Sequence, residues 1–116
     1  MTTNVIFMGW DRAIAGREAD AAQLFQEVVQ YLGGLQQAGT IQSFEPVLLS
    51  PHGGDLNGFF LIRGESDRLD ALQSDEEWFT YVTRGGMLLE GLGVVRGAVS
   101  EMVMEWMDLW NKIIPA

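Results

Sequence analysis

The chain has 116 residues, no cysteine, and 16 acidic against 7 basic residues, for a formal net charge of −9. That length fits a single domain spanning residues 1–116, and by surface scaling about two-thirds of the unfolded chain's surface can be buried, enough for a core without staples. Missing thiols exclude disulfides, zinc ribbons, thiolate catalysis and iron–sulfur clusters, while the acidic balance argues against nucleic acid or an anionic membrane surface as the main partner.

Met1 is followed by Thr2, Thr3 and Asn4 with no basic leader, and no apolar run approaches the roughly 18 residues of a membrane span. A cytoplasmic protein is expected. The 14 glycines and 3 prolines punctuate a chain without repeats or low-complexity segments. Residues 4–10 form an apolar run without polar alternation, which predicts a strand with both faces buried. Over residues 18–37, at about 100° of rotation per residue, Ala21, Leu24, Phe25, Val28, Val29, Leu32 and Leu35 fall in one arc. Asp20, Gln23, Gln26, Glu27 and Gln30 fall in the other, so a helix is predicted, stopped at Gly39. Gly33-Gly34 near its end reads as close packing or a frayed last turn.

Residues 41–50 read as a strand placed at a sheet edge by Pro46, which lacks a ladder donor. Pro51-His52-Gly53-Gly54-Asp55 is concentrated turn chemistry before the apolar run at 58–63, which predicts a β-hairpin. Residues 66–73 start a helix, and Ser74 with Glu77 has the spacing of a capping box. The helix it opens is predicted to reach residue 89, with Trp78, Phe79, Val82 and Leu89 on one face and a kink risk at Gly85-Gly86. Residues 94–99 are the fourth strand. In the tail, Met102, Val103, Trp106, Met107, Leu109, Trp110, Ile113 and Ile114 sweep about 160° at helical rotation, with Glu101, Glu105, Asp108 and Lys112 opposite. A C-terminal helix over residues 100–114, capped by Ser100, is predicted.

The resulting fold class is α+β: a ferredoxin-like βαββαβ domain with an antiparallel sheet in the order 4-1-3-2 and an added C-terminal helix. Two crossover helices cover one sheet face. Yet Val5 and Phe7 alternate with Ile6 and Met8, and Phe59 and Leu61 with Phe60 and Ile62, so the second face must also be buried.

In this element order, in its length and in its two-faced strands, the chain resembles the dimeric α+β barrel superfamily. Gly53-Gly54-Asp55-Leu56 before Gly58-Phe59-Phe60, and Gly91-Leu92-Gly93-Val94-Val95, are similar to segments of short bacterial members, and the size and the pairing of a His with an Asp loosely resemble YCII-related proteins. The resemblance implies a homodimer joined through the open sheet faces. The superfamily includes cofactor-free oxygenases, lactone isomerases and haem enzymes. The only histidine here sits in a turn, so no haem or other cofactor is expected.

No catalytic signature stands out among the polar residues. His52 and Asp55 could form an oriented imidazole acting as general base, or could be turn formers alone. Trp10 and Asp11, at the end of the first strand, could wall a small ligand, or be a core aromatic followed by a solvated charge. Arg63 and Arg96, in otherwise apolar strands, could bind a carboxylate, or pair with a structural acid such as Glu45, Glu65 or Glu90. Ligands for a metal are too few. Two functions remain: a homodimer that binds a small apolar or aromatic molecule, or a cofactor-independent oxygenase or isomerase of a small carbonyl or aromatic compound using His52 and Asp55. A third arrangement has the C-terminal helix covering its own sheet in a monomer.

Overall fold

Four successive apolar residues, Val5, Ile6, Phe7 and Met8, put apolar side chains on both faces of a strand. The structure, a computed structural model that describes residues 3–115, places them in the middle of β1 (Thr3–Trp10). Met1 and Thr2, which carried the reading on a leader, lie outside the described residues. Antiparallel neighbours flank β1 on either side, β4 (Gly58–Glu65) and β6 (Gly93–Ala98). β3 (Ser43–Leu48) completes the sheet beyond β4, in the order β3-β4-β1-β6. Pro46 thus sits in an edge strand, where a missing N–H costs no ladder bond.

The crossovers are α1 (Glu18–Gln37), between β1 and β3, and the pair α2 (Ser66–Gln73) and α3 (Glu76–Leu88), between β4 and β6. The main core lies between these helices and one face of the sheet. Ile6 and Met8 of β1 and Phe60 and Ile62 of β4 meet Leu24, Val28 and Leu32 of α1, Leu69 and Leu72 of α2, and Trp78 and Leu88 of α3. The architecture is therefore α+β with a four-stranded antiparallel sheet, as the residue pattern predicts.

Several local expectations are corrected. A two-residue ribbon pairs β2 (Arg12–Ala13) with β5 (Leu89–Glu90), which are too short for any periodicity to announce. The α3 N-cap is Asp75, whose carboxylate accepts from the Glu77 N–H at 3.2 Å, while Ser74 closes α2. A carboxylate accepts that bond more strongly than a hydroxyl and also faces the positive end of the helix. Phe79, assigned to the buried face of α3, is exposed. The Gly33-Gly34 pair lies inside regular helix, and a β-carbon on either would meet nothing within 4 Å outside the helix backbone, so neither close packing nor fraying accounts for it. Gly39 follows the Ala38 cap at φ +78°, the left-handed turn that ends a helix.

The tail folds as α4 (Glu101–Ile113), whose neighbours are β1 and β6. Ser100 occupies the N-cap position but its side chain makes no capping bond. Val5, Phe7, Phe59, Leu61 and Val95 alternate with the core-facing residues and so share the face of the sheet that α1, α2 and α3 leave uncovered; Val5 is buried there, Phe7, Phe59 and Leu61 are half-buried, and Val95 is exposed. α4, beside β1 and β6, leaves most of that face open: Met102 alone among its residues is half-buried and the others are exposed. The monomeric arrangement, with the helix folded over its own sheet, is not the one observed.

Candidate functional site

At the end of the sheet where β1 finishes, the helices diverge from the strands and leave a cavity of about 360 Å³. Its floor is Met8, Trp10 and Phe60, one wall is α1 through Leu24, Phe25 and Val28, and the other is α3 and its ribbon through Tyr81 and Leu89. The helical arc that buries Leu24 and Val28 also carries Phe25, so an amphipathic α1 delivers an aromatic ring here without a separate instruction.

Three rings make an aromatic cluster within this space. Phe25 stacks on Phe60 at 5.2 Å between centroids, Trp10 tilts against Phe60 at 5.5 Å, and Trp10 meets Phe25 edge-on at 6.1 Å. Such offset and edge geometries suit the quadrupoles of the rings. Trp10 can lie across β4 because its cross-strand partner is Gly58. A β-carbon at that position would stand 2.6 Å from the indole Cζ2, inside contact distance. Polar groups are few in the lining, which includes Gln26 and Tyr81. An uncharged, flat molecule suits it better than an ion.

Beside the cavity, Arg84 of α3 grips Glu27 of α1 with two parallel bonds of 3.0 Å each. This pair lowers the Glu27 carboxyl below its ordinary range, chiefly through the hydrogen bonds from the guanidinium, against an opposing effect of desolvation. The same Arg84 stands 5.8 Å over the Tyr81 ring, and Tyr81 packs on Tyr31 at 4.6 Å. The Tyr31 hydroxyl is buried and has no hydrogen-bond partner among the described residues. Burial raises its pKa well above the usual phenol value, with the Asp75 and Glu77 carboxylates adding to the shift. Sequence reading missed this four-residue clamp. Glu27 sits on the polar arc of α1, and nothing in one chain reveals that Arg84, 57 positions later, faces it.

The residues singled out from sequence are scattered by the fold. Trp10 lines the cavity, but Asp11 turns into the loop cluster beyond it, where its carboxylate accepts from the Asn57 amide at 2.8 Å and lies 3.5 Å from Arg12. Arg63 pairs with Glu45 at 2.9 Å on the uncovered side of the sheet, away from the cavity. Arg96 is tied to α2 through Asp70, Gln73 and Ser66, with the Ser66 hydroxyl at 3.1 Å. Both arginines are thus engaged by side chains of their own domain, Arg63 by one of the acids expected and Arg96 by one that was not.

His52 and Asp55 share a shallow depression with Asp11, Arg12 and Asn57, but His52 bonds to backbone groups of its own loop and not to Asp55. The His52 Nε2 donates to the Leu56 carbonyl at 2.8 Å, and Nδ1 accepts from the Gly54 N–H at 3.2 Å. These two bonds use a neutral ring completely, one nitrogen as donor and one as acceptor. The imidazole therefore holds the loop, whose tight turn Gly53 makes at φ +82°. Among the described residues no three His, Asp or Glu side chains gather at metal-binding spacing. No described helix is long and apolar enough to cross a membrane.

No protein-family model matches the chain, and no curated protein does. Among solved structures it is similar to a dimeric protein of unknown function and ferredoxin-like fold from Bacteroides fragilis NCTC 9343. That likeness covers 84% of this chain and 96% of the other, with a TM-score of 0.61 at 12% sequence identity. The fold is ferredoxin-like. The likeness carries the fold alone and does not extend to the YCII-related proteins.

Proposed function

We propose that this protein is a homodimer, joined through its uncovered sheet face, that binds a small uncharged aromatic or apolar molecule between its sheet and its helices. The observation that carries this reading is the cavity of about 360 Å³ floored by Trp10 and Phe60 and walled by Phe25 and Tyr81. It lies within the range of ordinary small-ligand sites and has their apolar, concave character. Dimerisation is supported by the uncovered sheet face, where Phe7 and Phe59 pack ring against ring at 5.0 Å, and by the dimeric state given for the similar Bacteroides protein. The enzymatic alternative draws no support from His52, whose two nitrogens are both held by the backbone.

Titration of the isotopically labelled protein with indole, followed by amide NMR, tests the reading. Saturable shifts at Trp10, Phe25, Phe60 and Tyr81 are expected, together with their loss in Phe25→Trp, which fills the cavity. Shifts confined to α4, or none at millimolar indole, would remove the cavity as a binding site.

A further inference from the structure

α4 has no buried residue, whereas each of the other three helices places two or three in the core. Val103, Trp106, Met107, Leu109, Trp110 and Ile113 are between 40% and 68% exposed. A 13-residue helix is marginal in water on its own, because nucleation is costly and most helical stability comes from packing an apolar face. This helix therefore needs a surface that its own subunit does not give it.

The size of the missing contact can be gauged. The chain exposes 7256 Å², roughly 950 Å² more than the about 6,300 Å² expected of a folded monomer of this mass. Each partner in a standard protein–protein interface buries about 800 Å². The Cα radius of gyration is 15.8 Å, against about 13.4 Å for a folded domain of this length, and the longest dimension is 52 Å. The surplus surface is thus of the order that one stable dimer contact removes, and the elongated shape fits a helix that projects beyond the domain.

We infer that α4 is an exchanged arm, laid with its apolar stripe across the uncovered sheet face of a second copy of this chain. That face offers Phe7, Phe59, Leu61 and Val95, and Val95, on the edge strand opposite Phe7, is 58% exposed. A two-fold pair satisfies both deficits, since each copy gives one helix and receives one. A lipid surface is a poorer match. The polar side of α4 carries Glu101, Glu105 and Asp108 against the single Lys112, where helices that bind anionic membranes are basic. The inference rests on the homodimer proposed above and goes beyond it in saying which element crosses between subunits.

The chain has no cysteine, so engineered thiols report without background. Val95→Cys and Leu109→Cys both alter exposed side chains, and the double variant is oxidised with copper phenanthroline beside each single variant, with light scattering on all three before oxidation. An exchanged arm gives a covalent dimer in the double variant and not in either single variant. Leu109→Glu with Trp110→Glu should weaken the dimer at least tenfold while the circular dichroism of the sheet is kept. A disulfide within one chain means that the helix closes on its own sheet, and a covalent dimer from Leu109→Cys alone means that the two arms pack on each other. Either result overturns the inference. So does a dimer that does not cross-link and ignores the two glutamates, although the dimer itself then stands. A monomer at all concentrations removes the dimer and the arm together, and binding of the wild-type chain to phosphatidylserine vesicles assigns α4 to lipid instead.

Discussion

Replacing Gly58 by alanine is expected to destabilise the protein through Trp10 alone. A β-carbon there would lie 2.6, 2.8 and 2.9 Å from the indole Cζ2, Cε2 and Nε1, so the ring must retreat by close to 1 Å to reach ordinary contact. It cannot do so freely, because Phe60 and Phe25 stand behind it at 5.5 and 6.1 Å. Overpacking of this kind costs about 1–3 kcal/mol. Loss of the glycine's freedom in the unfolded chain offsets about 0.5–1 kcal/mol, since Gly58 has no positive φ to protect. The net is on the order of 1–2 kcal/mol, or roughly 4–8 °C in melting temperature for a domain of this size. Gly34→Ala is the matched control. Nothing lies within 4 Å of its added carbon, and relief from a glycine in a helix interior should stabilise by about 0.8–1 kcal/mol. Thermal unfolding by circular dichroism at one fixed protein concentration reads both, and the Trp10 indole N–H resonance reads the displacement. An unchanged or higher melting temperature in Gly58→Ala, with an unmoved indole resonance, would refute this account of the cavity floor.

Arg84→Met should flatten the acid limb of the stability curve. The Glu27 pKa is lowered in the fold, so its contribution is present above the unfolded value near 4.5 and is lost as the pH falls below it; melting temperatures between pH 6 and 3 should therefore fall less steeply in the variant, and parallel slopes would count against the clamp. Tyr31 behaves oppositely: its raised pKa has no effect on stability well below the unfolded value of 10.0 and costs stability as the pH rises past it, where the unfolded chain ionises first. Tyr31→Phe should remove this alkaline loss and, by deleting an unpartnered hydroxyl, leave stability at pH 7 equal or higher by up to about 1 kcal/mol, as denaturant titration would show. His52→Ala should speed amide exchange at Gly54 and within the loop while indole binding stays within twofold of wild type, and abolished binding would bring the ring back into the site.

The legible part of this fold is the part written in periodicity. The bounds of α1 are legible because Leu24, Val28 and Leu32 recur on one arc and Gly39 can adopt the left-handed turn that ends it. β1 and β4 were legible because apolar residues at consecutive positions demand cover on both sides. The cavity was legible only in Trp10. Phe25 and Phe60 read equally well as core, and whether two core rings close against each other or leave a gap depends on how far α1 and α3 splay, which no local pattern encodes. His52 leaves two readings open in the sequence for a related reason. Turn-forming and catalytic residues are the same residue types, and the difference lies in whether a ring nitrogen is left unbonded, which depends on where the Gly54 N–H and the Leu56 carbonyl fall.

The two proposed functions of the sheet meet in one strand. Along β4, Phe60 points into the cavity and Phe59, one residue earlier, lies on the uncovered face against Phe7. A ligand that presses on Phe60 therefore has a path of a single backbone unit to the surface on which a second copy would sit. Linkage makes any such effect reciprocal: if ligand tightens the dimer by some factor, dimerisation tightens ligand by the same factor. Rigid alternation along a paired strand limits the size of that factor, because β4 is hydrogen-bonded on both sides, to β1 and β3, and cannot rotate one face without the other. Ligand affinity measured above and below the dimer dissociation constant should then differ by less than about fivefold, near the lower end of allosteric coupling. A larger change would mean that ligand and partner share contacts directly, with the arm of one copy reaching the cavity mouth of the other near the exposed Leu48.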